Sequence, residues 1–393
     1  MTESHVPTDP PAHHTAVPER PLDPRVAALS DRVFVQSIPQ RVGWIIDQLD
    51  PARSGLVVSG AKALAKAGQL RQAGVFSVPV LVDPAVYTVQ AATKDEPFPI
   101  PGGTQMAFGD HLANAVEEQL EHGASAALSP TGYLHAEDSD ALLAAAERIR
   151  ELADPRLVFA VPLDVGWLRD DAVKQLIAVL QTVPGAKALM LGGQLDPLGH
   201  FPAAVGNLVQ VLEQVPHCAL LRADLAAFGA LAHGAAFTAF GATSSQRHIV
   251  PPPQPAKTSG GGPSSPHVLV EDLMAFFLGR KIADRFAAAQ TPVCHCTACQ
   301  GRALDTFATL KEQAPAAAHN AAVLSGWVRS FAAVEPVQRA AWWQQRCQNA
   351  VDRYDIVNTA LRQPGAFAPP PQLKRWAERP TAAPQAAQAS PPG

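Results

Sequence analysis

Between residues 32 and 241 the chain alternates short, almost wholly apolar runs with longer stretches whose apolar residues recur every three or four positions. The apolar runs are RVFVQS (32–37), GLVVSG (55–60), VPVLVD (78–83), ASAALS (124–129), LVFAVPLD (157–164), AKALMLGG (186–193), HCALLRAD (217–224) and AAFTAFG (235–241). Runs of this length without polar alternation are expected of strands buried on both faces, as in a parallel sheet covered by helices. Helical spacing is clearest in DALLAAAERIRELA (140–153), which follows Ser139, and in RDDAVKQLIAVLQTV (169–183), whose opening aspartates suit a helix N-terminus. LAAFGALAHG (225–234) ends on a glycine stop.

Eight such runs interleaved with helical sequence predict an α/β fold of the (β/α)8 TIM-barrel type. An open doubly wound sheet is the competing arrangement, and no G-x-G-x-x-G follows the first run to support it. Two stretches interrupt the rhythm: a Pro/Gly loop at 93–110 and the low-complexity PPPQPAKTSGGGPSSPH at 251–267. The expected organisation is a disordered N-terminal segment (1–30), the barrel (31–250), a flexible linker (251–267), a metal-binding helical subdomain (268–368) and a disordered Pro/Ala-rich tail (369–393). Helices are expected near 303–313, 319–332 and 336–362. The last turns Trp342, Trp343, Val351, Tyr354 and Val357 toward one face, to pack on the barrel, to dimerise or to meet nucleic acid.

With 47% hydrophobic and 17% charged residues, the 393-residue chain has enough apolar material for a large core. No apolar run reaches the roughly 18 residues a membrane-spanning helix needs. The opening residues lack the basic-then-apolar pattern of a secretory leader. A net charge of −4 argues against coating nucleic acid by bulk charge and leaves a local basic groove open.

Three of the five cysteines fall in PVCHCTACQ, as C-x-C-x-x-C. An odd, clustered set points to a metal in a reducing, cytoplasmic setting rather than to disulfides. Cys294, Cys296 and Cys299 can wrap one ion, and His319 is the expected fourth ligand, near a helix start. His295 is the alternative and would crowd its neighbours. Four protein ligands leave no open position, so a structural Zn2+ is expected. Cys218, in an apolar run, is expected in the core.

A barrel followed by C-x-C-x-x-C and a distant His-Asn resembles the tRNA-guanine transglycosylase (queuine/archaeosine transglycosylase) superfamily. The resemblance covers roughly residues 55–330 and implies that Cys294, Cys296, Cys299 and His319 hold the zinc. It places Asp83 where the family has an acid/base aspartate, and Gly192, Gly193 and Gln194 at its base-contacting Gly-Gly turn. Two positions depart from the pattern. AAFTAFGATSSQR puts Ala239 or Phe240 where the family's nucleophilic aspartate stands, and AALSPTGY puts Ser129 and Pro130 where a base-reading aspartate is usual.

Residues at the C-terminal ends of barrel strands line the sites of such folds. Here they are Asp83, Ser129, Asp164, Gly192, Gly193, Gln194, Arg222, Asp224, Thr243, Ser244 and Arg247. Asp83 suits acid/base work, Asp164 or Asp224 could stand in for the nucleophile, and Arg222 and Arg247 with the serines could hold a phosphate. Plainer roles compete: Asp164 and Asp224 as helix caps, Asp83 as a turn former, Arg222 as an ion-pair partner. Three functions remain open. One is exchange of guanine for a 7-deazaguanine in tRNA or DNA, a pentosyltransferase reaction. Another is a degenerate binding protein or partner subunit, as homodimer or hetero-oligomer. The third is an unrelated barrel enzyme.

Overall fold

The computed structural model describes residues 21–74, 78–99, 110–257 and 265–380. Its centre is a closed barrel of eight parallel strands in sequence order. They are β1 (Val33–Ser37), β2 (Ser54–Ser59), β3 (Val80–Asp83), β4 (Ala126–Leu128), β5 (Leu157–Asp164), β6 (Lys187–Gly192), β7 (Cys218–Ala223) and β8 (Thr238–Gly241). Each falls on one of the expected apolar runs, with bounds that differ by at most three residues, the largest shift being the start of β8 at Thr238 rather than 235. Val33 lies beside both Ser54 of β2 and Thr238 of β8, which closes the ring.

Strand parity divides the apolar residues into two layers. Phe34, Val57, Leu81, Met190 and Leu221 fill the barrel interior together with Val26 and Leu29. Gly55 is needed there, because a Cβ at that position would run into the Phe34 ring. The alternate positions, such as Val35, Leu56, Val82, Leu189 and Leu220, pack outward on the helices. Helix α1 (Pro24–Ala27) precedes the barrel. The surrounding helices are α2 (Ala63–Gln72), α3 (His111–Glu121), α4 (Ser139–Leu152), α5 (Asp170–Gln181), α6 (Ala204–Gln214) and α7 (Ala226–Ala232). After β1 there are two 3-10 turns instead, Pro39–Trp44 and Ile46–Gln48.

Beyond the barrel come the hairpin β9 (His267–Val270) and β10 (Ala275–Leu278), then α8 (Gly279–Phe286). A small hairpin follows, β11 (Val293–Cys294) and β12 (Arg302–Ala303). Three further helices are α9 (Gln313–Ala332), α10 (Arg339–Ala360) and α11 (Pro371–Glu378). α9 packs on the turns after β1, and α10 packs on α7. Trp327 (α9) meets Phe228 of α7 edge-on and Trp343 (α10) stacks on it, at centroid distances of 5.6 and 6.0 Å. The C-terminal helices thus cover the flank where β8 meets β1. Among the described residues no helix is long and apolar enough to cross a membrane.

Four expectations need correction. The tail expected to be disordered from 369 contains α11, whose Leu373 and Trp376 are buried against the barrel. Tertiary burial of Trp376 overrides the Pro/Ala-rich local composition. The N-terminal segment is ordered where it is described: Asp23 caps α1, and Val26 and Leu29 are buried. The linker keeps contact with the barrel, since Gln194 accepts from the Lys257 N–H and donates to the Pro255 carbonyl, and its last residue begins β9. Residues 258–264 of it, most of the loop 93–110 and the stretches 1–20 and 381–393 lie outside the described residues. The helix expected at 303–313 is two 3-10 turns, and α9 begins at Gln313, so His319 sits in its second turn. On α10 the buried face is Trp343, Cys347, Ala350 and Tyr354, while Trp342 is half-buried under Arg346.

Candidate functional sites at the barrel mouth and the cysteine knuckle

Interior parity carries polar residues to the top of the barrel. Two positions beyond Phe34, Val57 and Leu81 come Gln36, Ser59 and Asp83, all buried. Asp83 Oδ2 accepts from Gln36 Nε2 (2.9 Å), Ser59 Oγ (2.9 Å) and the Tyr87 hydroxyl (2.6 Å), and Oδ1 accepts from the Ala85 N–H (2.9 Å). Arg222 lies 3.9 Å from the same carboxylate and donates to the Tyr87 hydroxyl at 3.1 Å. Burial pushes the Tyr87 phenol well up, so it stays a donor. The β7–β8 register shifts between Leu220 and Ala223, and Arg222 has φ +52°, a left-handed conformation that turns its side chain into this network. Its other nitrogens donate to the carbonyls of His248 and Ser245. Asp83 and Arg222 are therefore brought together, and both oxygens of Asp83 are already used.

Four other expected positions are spent on local structure. Asp164 caps the turn after β5 through the Gly166 N–H and accepts from the Tyr133 hydroxyl at 2.9 Å. Ser129 bonds Thr131 and accepts from the Ala160 N–H. Gly192 and Gly193 bridge to Ile249, and a side chain at 192 would strike Tyr133.

A cavity of about 730 Å3 opens instead at the ends of β6, β7 and β8, beneath α11. Of the expected residues, Gln194, Arg222, Asp224, Ser244 and Arg247 line it. Sequence reasoning missed Asp196, His248, His267, Gln372 and Trp376. Only Asp196 carried a local signal, the Asp-Pro that caps the turn Pro197–Gly199. Asp224 accepts from the Ala226 N–H at the start of α7 and from Gln372 Nε2 of α11. Burial raises its carboxyl. Burial, with repulsion from Asp224, pushes Asp196 up to about 7. Arg247 donates from Nε to the Gly241 carbonyl (3.2 Å) and lies 3.3 Å above the centre of the Phe276 ring. Glycine is required at 241, because a Cβ there would collide with the backbone of Gln246.

At the knuckle, the ligand atoms of Cys294, Cys296, Cys299 and His319 lie within 4.8 Å of one another. His319 Nδ1 is 3.7 Å from Cys296 Sγ and 3.2 Å from Cys299 Sγ. The edges of a tetrahedron built from metal bonds of about 2.0–2.3 Å are roughly 3.3–3.8 Å, so the set fits a bound ion. His319 Nε2 donates to the Leu269 carbonyl of β9 at 2.9 Å, which leaves Nδ1 as the ligand nitrogen. Asn320 clamps the same strand, accepting from the Leu269 N–H and donating to the His267 carbonyl. His295 is exposed and is not needed as a ligand, since the four others already meet. Thr297, inside the cysteine loop, donates to Gln48 in the turn after β1 and ties the knuckle to the barrel.

The fold and the knuckle define the class: a (β/α)8 barrel with a C-terminal cluster of three cysteines and a histidine that can hold a metal ion. No family model matches the chain. No curated protein matches it either. Among solved structures, the carboxyl transferase domain from Rhizobium etli pyruvate carboxylase, with oxamate and biotin, is similar at 9% identity and a TM-score of 0.32. That likeness covers 88% of this chain and spans 63% of the other. At this level it carries no argument about activity.

Proposed function

We propose that the chain is a divergent relative of the tRNA-guanine transglycosylases that has kept the barrel and the metal knuckle and acts as a binding protein or partner subunit rather than in base exchange. The closure of Asp83 supports this most directly. A general acid or base needs a lone pair or proton free to meet substrate. Asp83 spends both oxygens on Gln36, Ser59, Tyr87 and Ala85. On β8, where the family nucleophile stands, Ala239 and Phe240 are buried and offer no replacement. A donor set of three sulfurs and one nitrogen suits zinc, which when bound would contribute folding energy by holding the hairpin β11–β12 to α9. The partners that go with base exchange, should activity be retained, are tRNA or DNA and a purine-like base.

One observation favours retained activity as a second reading. Asp196 and Asp224 share the cavity, and a carboxyl near 7 suits proton transfer at neutral pH.

The test is incorporation of labelled guanine or a labelled 7-deazaguanine into bulk tRNA and duplex DNA by metal-loaded protein. No incorporation, with binding of polymer or base retained, is the expected result. Incorporation that is lost in Asp224→Asn and kept in Asp83→Asn would establish the second reading.

A further inference from the structure

We propose that the cavity at the ends of β6–β8 binds a small organic anion, whose carboxylate or phosphate group is held by Arg247. The proposal stands whether or not base exchange occurs.

Arg247 carries the argument. Its Nη2 is buried and has no hydrogen-bond partner. Nε is spent on the Gly241 carbonyl, and the guanidinium plane is covered by Phe276. Asp224 is close enough to be felt, but it bonds Gln372 and the Ala226 N–H and forms no ion pair with Arg247. A buried guanidinium without a paired carboxylate is costly, and an anion entering from the cavity satisfies both its charge and its idle N–H. Arginine suits this task because its planar fork matches the oxygens of a carboxylate or phosphate.

The surroundings agree. His248 and His267 line the same cavity, and burial together with nearby arginine charge holds both near 4. At neutral pH each is uncharged and can offer one ring N–H. Lys257 and Ser244 stand on the lining as well.

Size sets the rest of the ligand. About 730 Å3 lies in the range of small-molecule sites and far exceeds an inorganic oxyanion. Met274, Phe276, Leu278, Leu373 and Trp376 supply apolar wall. The ligand class is thus an apolar or aromatic body bearing one oxyanion.

The probes are phenyl phosphate and benzoate, with benzyl alcohol as the uncharged counterpart, added to full-length, metal-loaded protein. Binding is followed by tryptophan fluorescence, since Trp343 and Trp376 line the cavity, and by calorimetry. At least one anion is expected to bind saturably and at least tenfold more tightly than benzyl alcohol. Whichever does so assigns phosphate or carboxylate. Arg247→Gln, folded by circular dichroism, is expected to lose at least tenfold in that affinity. Equal affinity for anion and alcohol, no saturable binding of either anion, or undiminished binding by the variant overturns the proposal. If Arg247→Gln does not fold, the charged-versus-neutral comparison on the unaltered protein decides alone.

Discussion

Gln372, on the last described helix, donates its side-chain amide to the carboxylate of Asp224 at the end of β7, 148 residues earlier. Arg375 of the same helix donates to the carbonyls of Leu198 and Gly199, and Trp376 stacks on His233 at a centroid distance of 5.7 Å. α11 is therefore part of the barrel's upper wall. Gln372→Ala is expected to cost about 1–3 kcal/mol, the penalty of leaving a buried acceptor unmet. Trp376→Ala is expected to cost about 3–5 kcal/mol through lost packing. Urea unfolding at neutral pH measures both. Wild-type stability in the two variants would show α11 to be a loose tail.

The Asp196 carboxyl makes stability depend on pH. Its folded value, about 7, lies above the ordinary 3.8. The folded state therefore holds this proton over a range in which the unfolded chain has released it. The associated stability is present below the unfolded value and is lost as pH rises from about 4 through about 7. Asp196→Asn cannot ionise and escapes that loss. The variant should gain on wild type between pH 5 and pH 8 in urea midpoint, and a gap independent of pH contradicts the assignment.

Asn320 touches no metal ligand through its side chain, yet it holds the strand whose Leu269 carbonyl orients His319. Asn320→Ala should weaken metal affinity by roughly 10–100-fold while keeping a stoichiometry of one ion per chain. Competition with a chromogenic chelator reads this. Cys296→Ser, by contrast, should fail to retain the ion at all.

Asp83 is expected to behave as structure. Asp83→Ala strands Gln36, Ser59, Tyr87 and Arg222 around a missing acceptor, at a cost on the order of 3–5 kcal/mol. Asp83→Asn keeps the shape and part of the bonding, so it should lose less. Both variants should bind a cavity ligand as wild type does at temperatures where they remain folded. Lost binding in a folded Asp83→Asn would place the carboxylate in the site after all.

The eight strands were legible because each is a short apolar run, and burial on both faces leaves no alternation to confuse the pattern. The cysteine knuckle was equally legible, since three of its ligands lie within six residues. The mouth of the barrel was not. The fate of Asp83 depends on Gln36, Ser59 and Arg222, residues distant in the chain that barrel formation brings together, besides the nearby Tyr87. Strand-end position named Gln194, Arg222, Asp224, Ser244 and Arg247, which line the cavity. It did not decide between a lining role and the capping role that Asp164 takes, nor show that Ser129 is spent on Thr131 and Ala160. Trp376 was missed because it owes its setting to His233 and Trp343, partners distant in sequence.

The seam between β8 and β1 has a consequence for how the chain is made. The helices that cover it, α9 and α10, emerge late in translation. When Gly241 leaves the ribosome all eight barrel strands exist, but Phe228 still lacks Trp327 and Trp343. Domains mature from the N-terminus during synthesis, so this nascent barrel waits with an apolar flank open to solvent. A chain stalled before residue 313 would show that flank to chaperones, and release of the final helices is the step that hides it.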